Sequence, residues 1–215
     1  MKKKLYLLEG QPVSKFVVDD YQSRLEVVCR LVNSRYQKHL HTGLTPLPNL
    51  KVRAIFLNIS RAYDLLDTVL KGLYPQTMRF VLLHDYLENL DDVMNLEGTA
   101  LKKSAQLMIQ LEHNNLLFEM SADREETDLA LSGLVNSLQL LKQELSPKKR
   151  RIISEYVKTG KQSQAALNLG MTQQGVSKAL KSSNWEQIRD GEKKLKRAFE
   201  IYAARLGKKQ SSLDD

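Results

Sequence analysis

The sequence has a single cysteine, Cys29, among its 215 residues. One thiol cannot form an intramolecular disulfide or supply a cysteine-rich zinc site, so a reducing, cytoplasmic location is expected. No apolar run approaches the roughly 18 residues that a membrane-spanning helix needs. The lysines that follow Met1 precede only four apolar residues before Glu9, which is too short for a secretory signal. We therefore expect a chain that is neither exported nor inserted into a membrane.

The motifs of several enzyme classes are also missing. The sequence has no G-x-x-x-x-G-K-[ST] loop, no G-x-G-x-x-G after a strand, no H-E-x-x-H and no G-x-S-x-G. It therefore offers no phosphate loop, dinucleotide site, zincin site or serine nucleophile elbow. No cofactor and no metal are predicted, and the chain is not expected to be an enzyme.

Excess charge is missing from the first two thirds of the chain. Residues 1–145 carry 17 Lys+Arg against 18 Asp+Glu, whereas residues 146–215 carry 16 against 7, so the net charge of +8 arises in the last third. A segment this basic attracts polyanions through counterion release, and double-stranded DNA is the usual partner. A solvated lysine-rich tail would have the same composition, so the charge alone does not decide the function.

The first 145 residues alternate between short apolar runs and stretches with helical periodicity. The pattern predicts four strands interleaved with helices in one α/β domain over residues 1–145, with residues 42–50 (TGLTPLPNL) as a turn-rich connector. We expect a mixed sheet, although a parallel or a ferredoxin- or cyclase-like sheet also fits. The predicted strands are residues 4–9, 52–59, 78–83 and 116–120.

Helix starts in this domain are predicted from capping residues and apolar spacing. The first helix begins at Asp19 or Asp20, and its core-facing stripe includes Cys29. The last begins with a capping box formed by Asp123 and Glu126. The predicted apolar face of this last helix is Leu131, Leu134, Leu138, Leu141 and Leu145.

The character of the chain changes at Ser146, which precedes Pro147. Serine can accept hydrogen bonds from the free N–H groups of a helix start, and proline suits the first helical position, so a helix is predicted to begin here. It ends near Gly160, a second helix covers residues 162–169, and a third begins at Thr172. The order predicts a helix-turn-helix.

Three residues have the spacing that this motif requires. Ala166 allows two helices to approach, Gly170 tolerates a positive φ in the turn, and Val176 fills the angle between the helices. Outward side chains of the third helix offer the amide, hydroxyl and ammonium groups that contact bases and phosphates in a major groove. The predicted DNA-binding residues are Lys161, Gln162, Thr172, Gln173, Gln174, Ser177, Lys178 and Lys181. The alternative is a helical bundle that turns on glycine or binds protein.

The last predicted helix carries an apolar stripe from Trp185 to Leu206. Such a stripe packs against the rest of the domain or pairs with a second subunit. We expect Trp185 and Ile188 to pack within the chain, whereas the distal half is a candidate homodimer surface, as is the N-terminal domain. The DNA-binding domain is thus predicted over residues 146–207, followed by a flexible tail at residues 208–215.

The stretch LSPKKRRIISEYVKTGKQSQAALNLGMTQQGVSKAL resembles the terminal helix-turn-helix of SatD-like bacterial proteins, and more loosely sigma-factor region 4 and related response-regulator modules. Residues 9–15 (EGQPVSK), 75–80 (PQTMRF) and 97–108 (EGTALKKSAQLM) resemble the earlier part of that family in order and spacing. The resemblance spans nearly the whole chain. It implies a bacterial protein that binds DNA through its C-terminal domain.

The chain departs from this family at its acidic positions. The early Gly-Asp pair of the family falls on Glu9 and Gly10, so the aspartate is absent, and no acidic turn stands between Pro48 and Ser60. Nucleotide or metal chemistry that such positions support elsewhere is therefore not transferred. The remaining acidic cluster would hold Mg²⁺ or else form a solvated loop. This cluster comprises His84, Asp85, Glu88, Asp91 and Asp92.

Together these patterns predict a sequence-specific DNA-binding protein that regulates transcription. A nucleotidyl-cyclase-like enzyme with an appended DNA-binding module is the first alternative. A protein-binding adaptor is the second.

Overall fold

The structure is a computed structural model that describes residues 2–14, 20–90 and 92–211, with side chains as far as Leu206. None of the helices in this described part of the chain combines the length and apolar composition that crossing a membrane requires.

The chain divides into two compact units. The first, called the α/β unit below, comprises Met1–Asn136 and Leu195–Asp215. The second, called the helical unit, comprises Ser137–Lys194. The sequence interpretation placed the boundary after residue 145 and assigned the whole last helix to the second domain. In the structure the boundary follows Asn136, and the end of the last helix belongs to the α/β unit.

A mixed sheet of five strands forms the centre of the described α/β unit, and the predicted mixed sheet is confirmed. The strands are β1 (Lys3–Pro12), β2 (Leu40–Pro46), β3 (Val52–Phe56), β4 (Met78–Leu87) and β5 (Phe118–Ser121). Their order across the sheet is β2-β3-β1-β4-β5. β1 is antiparallel to β3 and β4, β2 is antiparallel to β3, and β5 is parallel to β4. The first four strands, with the helices that connect them, follow the β-α-β-β-α-β order of ferredoxin-like folds.

The prediction of a connector over residues 42–50 is wrong, because Leu40–Pro46 forms β2. β2 lies at the edge of the sheet and pairs with β3 alone among the described strands. Its register shifts between Leu40 and Thr42 and again between Thr42 and Thr45. An irregular edge strand tolerates the glycine and proline that made this segment resemble a turn. As a result β2 and β3 are consecutive, and the strict alternation of strands and helices does not hold.

The first four α-helices are α1 (Tyr21–Tyr36), α2 (Ala62–Leu73), α3 (Thr99–His113) and α4 (Glu125–Gln143), and the boundary between the units falls within α4. Asp20 occupies the N-cap position of α1, as one of the two predicted starts requires, and the other start, Asp19, lies outside the described residues. Cys29 is buried on α1, and burial raises the pKa of its thiol to about 12. This cysteine is therefore part of the core, as predicted.

One face of the sheet is covered by α3. Alternating side chains of three strands, Leu7, Ile55 and Val81, meet Met108 and Leu111 of α3 in one buried cluster. The same period of two along a strand brings Glu9 of β1 and Arg53 of β3 to this face, nearer the end of the sheet. The face is thus apolar in its centre and charged at one end.

The predicted apolar face of α4 is partly wrong. Leu131 and Leu138 are buried, but Leu134 is 51% exposed and Leu141 is 42% exposed. Val135 is fully buried and follows Leu131 by four residues. The buried positions repeat at the 3.6-residue period of the helix, whereas the leucines used for the prediction drift off that line.

Four further α-helices follow: α5 (Pro147–Thr159), α6 (Gln162–Leu169), α7 (Gln173–Lys181) and α8 (Trp185–Ser211). α8 extends beyond its predicted end, and residues 208–211 of the predicted flexible tail are helical. Residues 212–215 of the predicted tail lie outside the described residues.

The apolar stripe of α8 is buried within the chain along its whole described length. Trp185 and Ile188 are buried, as predicted. The distal residues are buried as well, namely Leu195, Phe199, Tyr202 and Leu206. The chain itself therefore covers this stripe in the distal half of α8, where a homodimer surface was predicted. A homodimer formed through the α/β unit stays a prediction.

Candidate nucleic-acid interface

The first helix of the interface, α5, begins and ends at the residues that the sequence indicated. The Ser146 hydroxyl oxygen accepts a hydrogen bond from the Lys149 N–H at 3.4 Å, and Pro147 is the first helical residue. Gly160 ends the helix with a φ of 68°. A side chain is disfavoured at that positive φ, so glycine provides the stop.

A tight turn joins α6 to α7. Gly170 adopts a φ of 63° at the end of α6, and the next N–H, of Met171, donates to the Ala166 carbonyl at 3.0 Å. Thr172 then caps α7, because its hydroxyl oxygen accepts from the Gly175 N–H at 3.1 Å. The predicted positive φ and the predicted cap are both present.

The helices α5, α6 and α7 share one apolar cluster with the start of α8. Ala166 is 4% exposed and Val176 is fully buried, so the small residue and the filler residue lie where the spacing predicted. The other buried members are Ile152, Ile153, Ala165, Leu180, Trp185 and Ile188. This core fixes which face of α7 points outward.

The outward face of α7 carries most of the predicted DNA-binding residues. Gln174, Lys178 and Lys181 are exposed, and their spacing of four and seven residues places them on one side of the helix. Thr172 and Gln173 are exposed at its N-terminal end. Within the described residues, the side chains of Gln173, Gln174, Lys178 and Lys181 form no intramolecular hydrogen bond or ion pair.

Three predicted residues differ from this set. Ser177 is half-buried on α7. Lys161 is exposed and Gln162 half-buried at the start of α6, so both lie on a different helix from the others. The structure thus groups four exposed residues of α7 with its N-cap Thr172, and adds Lys161 and Gln162 at the start of the preceding helix.

The basic run Lys148–Arg151 has two roles that the sequence did not separate. The Lys149 ammonium donates to the Ser182 carbonyl, just beyond the end of α7, at 2.8 Å. The Arg150 guanidinium donates to the Leu145 carbonyl at 3.1 Å, near the end of α4, and also to the Lys142 carbonyl. These two cations satisfy carbonyls that helix ends leave without intrahelical partners.

The other two cations of the run are exposed. Lys148 and Arg151 lie three residues apart on the same side of α5 and have no intramolecular partner within the described residues. The helical unit as a whole carries 12 Lys+Arg against 5 Asp+Glu, a net charge of +7. Lys148 and Arg151 therefore join the candidate interface, although sequence reasoning did not select them. In the sequence, the basic run Lys148–Arg151 was the only indication that these two residues are exposed cations of this surface.

Two carboxylates of the acidic cluster near the end of β4 accept hydrogen bonds from nearby groups. The Asp85 carboxylate accepts from the Tyr86 N–H at 2.7 Å and from the Thr99 hydroxyl at 2.8 Å. Partial burial opposes ionisation of Asp85, but these hydrogen bonds and the positive charges of Lys103 and Lys4 outweigh it and hold the pKa of the carboxyl below its ordinary value. Asp92 accepts from the N–H groups of the nearby residues Met94 and Asn95.

The remaining members of that cluster point to separate partners. The His84 ring stacks on Tyr6 with centroids 4.2 Å apart, and Glu88 lies 4.0 Å from the Lys2 ammonium. Asp91 lies outside the described residues. Among the described residues, no three His, Cys, Asp or Glu side chains converge on a point where a metal ion would be held.

No protein-family model and no curated protein sequence matches the chain. Two structures of a bacterial light-regulated adenylyl cyclase are similar to it at 13% identity and a TM-score of 0.41, covering 56% of this chain and 43% of theirs. The chain thus spans less than half the length of that cyclase. A regulator of polyketide synthase expression from Bifidobacterium adolescentis is similar at 11% identity and a TM-score of 0.28, covering 96% of this chain and 82% of its own. Likenesses this weak carry no argument about function.

Proposed function

We propose that the chain is a sequence-specific double-stranded DNA-binding protein that regulates transcription, with α6 and α7 as a helix-turn-helix and α7 as the recognition helix. The observation that carries the proposal is the outward face of α7. This face presents two amide side chains and two ammonium groups that no intramolecular partner occupies within the described residues.

Amide and ammonium groups have different tasks on such a helix. Gln173 and Gln174 lie in the first turn of α7, where a helix inserted N-terminus first brings side chains closest to base edges. A glutamine amide can pair with adenine through two hydrogen bonds. Lys178 and Lys181 lie further along and are placed to contact phosphates, which position the protein without reading sequence.

Positive charge extends beyond α7 on the same unit. Lys148 and Arg151 on α5 and Lys161 at the start of α6 are exposed, and the unit has a net charge of +7. A surface that binds protein would be depleted of charge at its centre. The charge therefore favours a polyanion over the adaptor function.

The test is fluorescence anisotropy of the full-length chain with a labelled duplex across a salt series. The full chain is needed because the end of α8 belongs to the α/β unit, so a fragment starting at Ser146 would remove the partners of its apolar stripe. We expect the logarithm of the binding constant to fall with the logarithm of salt concentration, by about 0.9 for each phosphate neutralised.

Matched charge variants locate the interface. Lys178→Gln combined with Lys181→Gln should weaken binding and lower the salt slope by about two contacts' worth. Lys102→Gln, an exposed lysine on α3 of the α/β unit, should change neither quantity. Binding that does not depend on salt, or equal effects of the two sets of variants, would contradict the proposal.

A further inference from the structure

A cavity of about 400 Å³ lies between α3 and the neighbouring ends of β1 and β3. Sites for small molecules in proteins occupy roughly 300–1,000 Å³. Its apolar wall includes Leu47, Leu101 and Met108, and its polar residues lie on the two strands, on α3 and just before β3. All of its lining residues belong to the α/β unit. The cavity is large enough for a molecule of about ten non-hydrogen atoms.

One buried polar group in the cavity wall has no partner. Ser104 on α3 lines the cavity and is 1% exposed. Its hydroxyl oxygen makes no hydrogen bond within the described residues. Buried hydroxyl groups are almost always hydrogen-bonded, because an unpaired one loses its hydration without compensation. This oxygen has almost no accessible surface, so it lies behind the cavity wall and does not reach a ligand in the open space.

A charged pair in the same wall is only partly satisfied. Arg53 donates from Nε and Nη2 to a single oxygen of Glu9, Oε1, at 2.8 Å and 2.6 Å. A third donor, Nη1, is bound to the Val93 carbonyl at 2.7 Å. The second carboxylate oxygen of Glu9 accepts no hydrogen bond within the described residues. The two side chains are only 18% and 12% exposed, so this acceptor is held in a sheltered position.

Two more charges complete the lining. Lys51 and Glu112 are both exposed and have no ion-pair partner among the described residues. With Glu9 and Arg53 the cavity has two acidic and two basic groups and no net charge. Such a lining disfavours a ligand of high net charge, such as a polyphosphate, and suits one that carries a positive and a negative group together.

We propose that this cavity binds an α-amino acid with an apolar side chain. The ammonium group would donate to the free oxygen of Glu9, the carboxylate would lie near Lys51, and the side chain would pack against Leu101 and Met108. The proposal concerns the α/β unit alone and does not depend on DNA binding by the helical unit.

Isothermal titration of the full-length chain with each of the twenty amino acids tests the ligand class. We expect saturable binding for some of the apolar amino acids. The amine that lacks the carboxylate, and the acid that lacks the amine, should each bind at least tenfold more weakly than the parent amino acid. Equal binding of all three compounds, or no binding of any amino acid, would overturn the proposal.

Two variants locate the site while preserving the fold. Lys51→Gln should leave the free protein equally stable in thermal denaturation, because Lys51 is exposed and has no ion-pair partner among the described residues, but should weaken amino-acid binding about fivefold or more. Ala105→Phe places a ring in the cavity and should abolish binding. Gln106→Phe is the matched control, since Gln106 is exposed on the same helix and does not line the cavity. Unchanged binding by Ala105→Phe would place the ligand elsewhere.

DNA binding is measured separately on the same preparations. If the amino acid binds and DNA does not, only the proposed function of the helical unit fails. If DNA binds and no amino acid does, only the cavity proposal fails.

Discussion

The hydroxyl of Tyr202 donates a hydrogen bond to the Asp128 carboxylate at 2.9 Å. The same oxygen accepts from the N–H groups of Asp123 at 3.2 Å and Arg124 at 3.0 Å, which precede α4. The second oxygen of Asp128 accepts from the Ala122 N–H at 2.7 Å. One buried side chain near the end of α8 thus satisfies the free donors at the start of another helix, within the α/β unit.

Tyr202→Phe should therefore destabilise the chain by about 1–3 kcal/mol, because it leaves buried donors and a carboxylate without a partner. The free energy of unfolding in urea is the measurement. Tyr156→Phe is the control, since Tyr156 is half-buried and its hydroxyl makes no intramolecular hydrogen bond within the described residues. Equal losses in the two variants would show that the hydroxyl of Tyr202 has no special role.

Asp128 should make the stability of the chain depend on pH. Burial raises the pKa of its carboxyl above the ordinary value of 3.8, although the hydrogen bonds from Ala122 and Tyr202 act in the opposite direction. The folded state then binds the proton more tightly than the unfolded state. This contribution to stability is complete below pH 3.8 and is lost as the pH rises through the folded-state pKa.

Asp128→Asn removes the titrating carboxyl, so the difference between wild type and variant gives the contribution of Asp128. The free energy of unfolding of the wild type, minus that of the variant, should decrease as the pH rises from below 3.8 toward neutrality. Urea denaturation at a series of pH values measures the difference. A difference that does not change with pH would contradict the raised pKa.

Signals that act within a few residues were readable from the sequence. Ser146 and Thr172 cap helices, and Gly170 adopts a positive φ, because each role depends on the residue itself and its next neighbours. Val176 was also predictable, since the turn fixes the face on which it lies. The helical unit was accordingly the better predicted part of the chain.

Features that depend on distant partners were not readable. β2 is a strand because β3 lies beside it, and its Gly43 and Pro46 gave the opposite indication. In the same way, Lys149 and Lys148 are adjacent lysines. Lys149 donates to a carbonyl and Lys148 remains exposed only because Ser182 lies close to Lys149.

Gly170→Ala should destabilise the chain by about 1 kcal/mol. Its φ of 63° disfavours a side chain, although nothing in the structure would collide with an added Cβ. Gly133→Ala is the opposite case, because Gly133 lies within α4 and also has open space around it. That substitution should stabilise by roughly 0.5–1 kcal/mol through helix propensity. The two variants are compared by thermal denaturation, and changes of the same sign would contradict the conformational argument.

The chain should not turn over nucleoside triphosphates. The aspartate that would hold a catalytic metal is absent at Gly10, and β3 carries no acidic residue. The Asp85 carboxylate already accepts hydrogen bonds from Tyr86 and Thr99. The measurement is mass spectrometry of products after incubation with ATP or GTP and Mg²⁺. Turnover that Asp85→Ala abolishes would favour the enzyme over the regulator.

Specific reading of DNA should depend on Gln174 more than on Lys181. Gln174 lies in the first turn of α7, where an amide can distinguish adenine by roughly 1–3 kcal/mol, whereas Lys181 lies at its end. Gln174→Ala should therefore weaken binding to a preferred site far more than binding to random duplex. Lys181→Ala should weaken both equally and reduce the salt slope by about one contact.

The comparison needs a preferred site, obtained by repeated enrichment from a random duplex pool with the full-length chain. Binding of each variant to the enriched site and to random duplex is then measured across the same salt series, because affinities for DNA are comparable only at equal salt and the slope needs several concentrations. Gln187→Ala is the control, since Gln187 is exposed on α8 and carries the same amide. If Gln173→Ala and Gln174→Ala both preserve the preference for the enriched site, α7 does not read the sequence, because no other amide lies in its first turn.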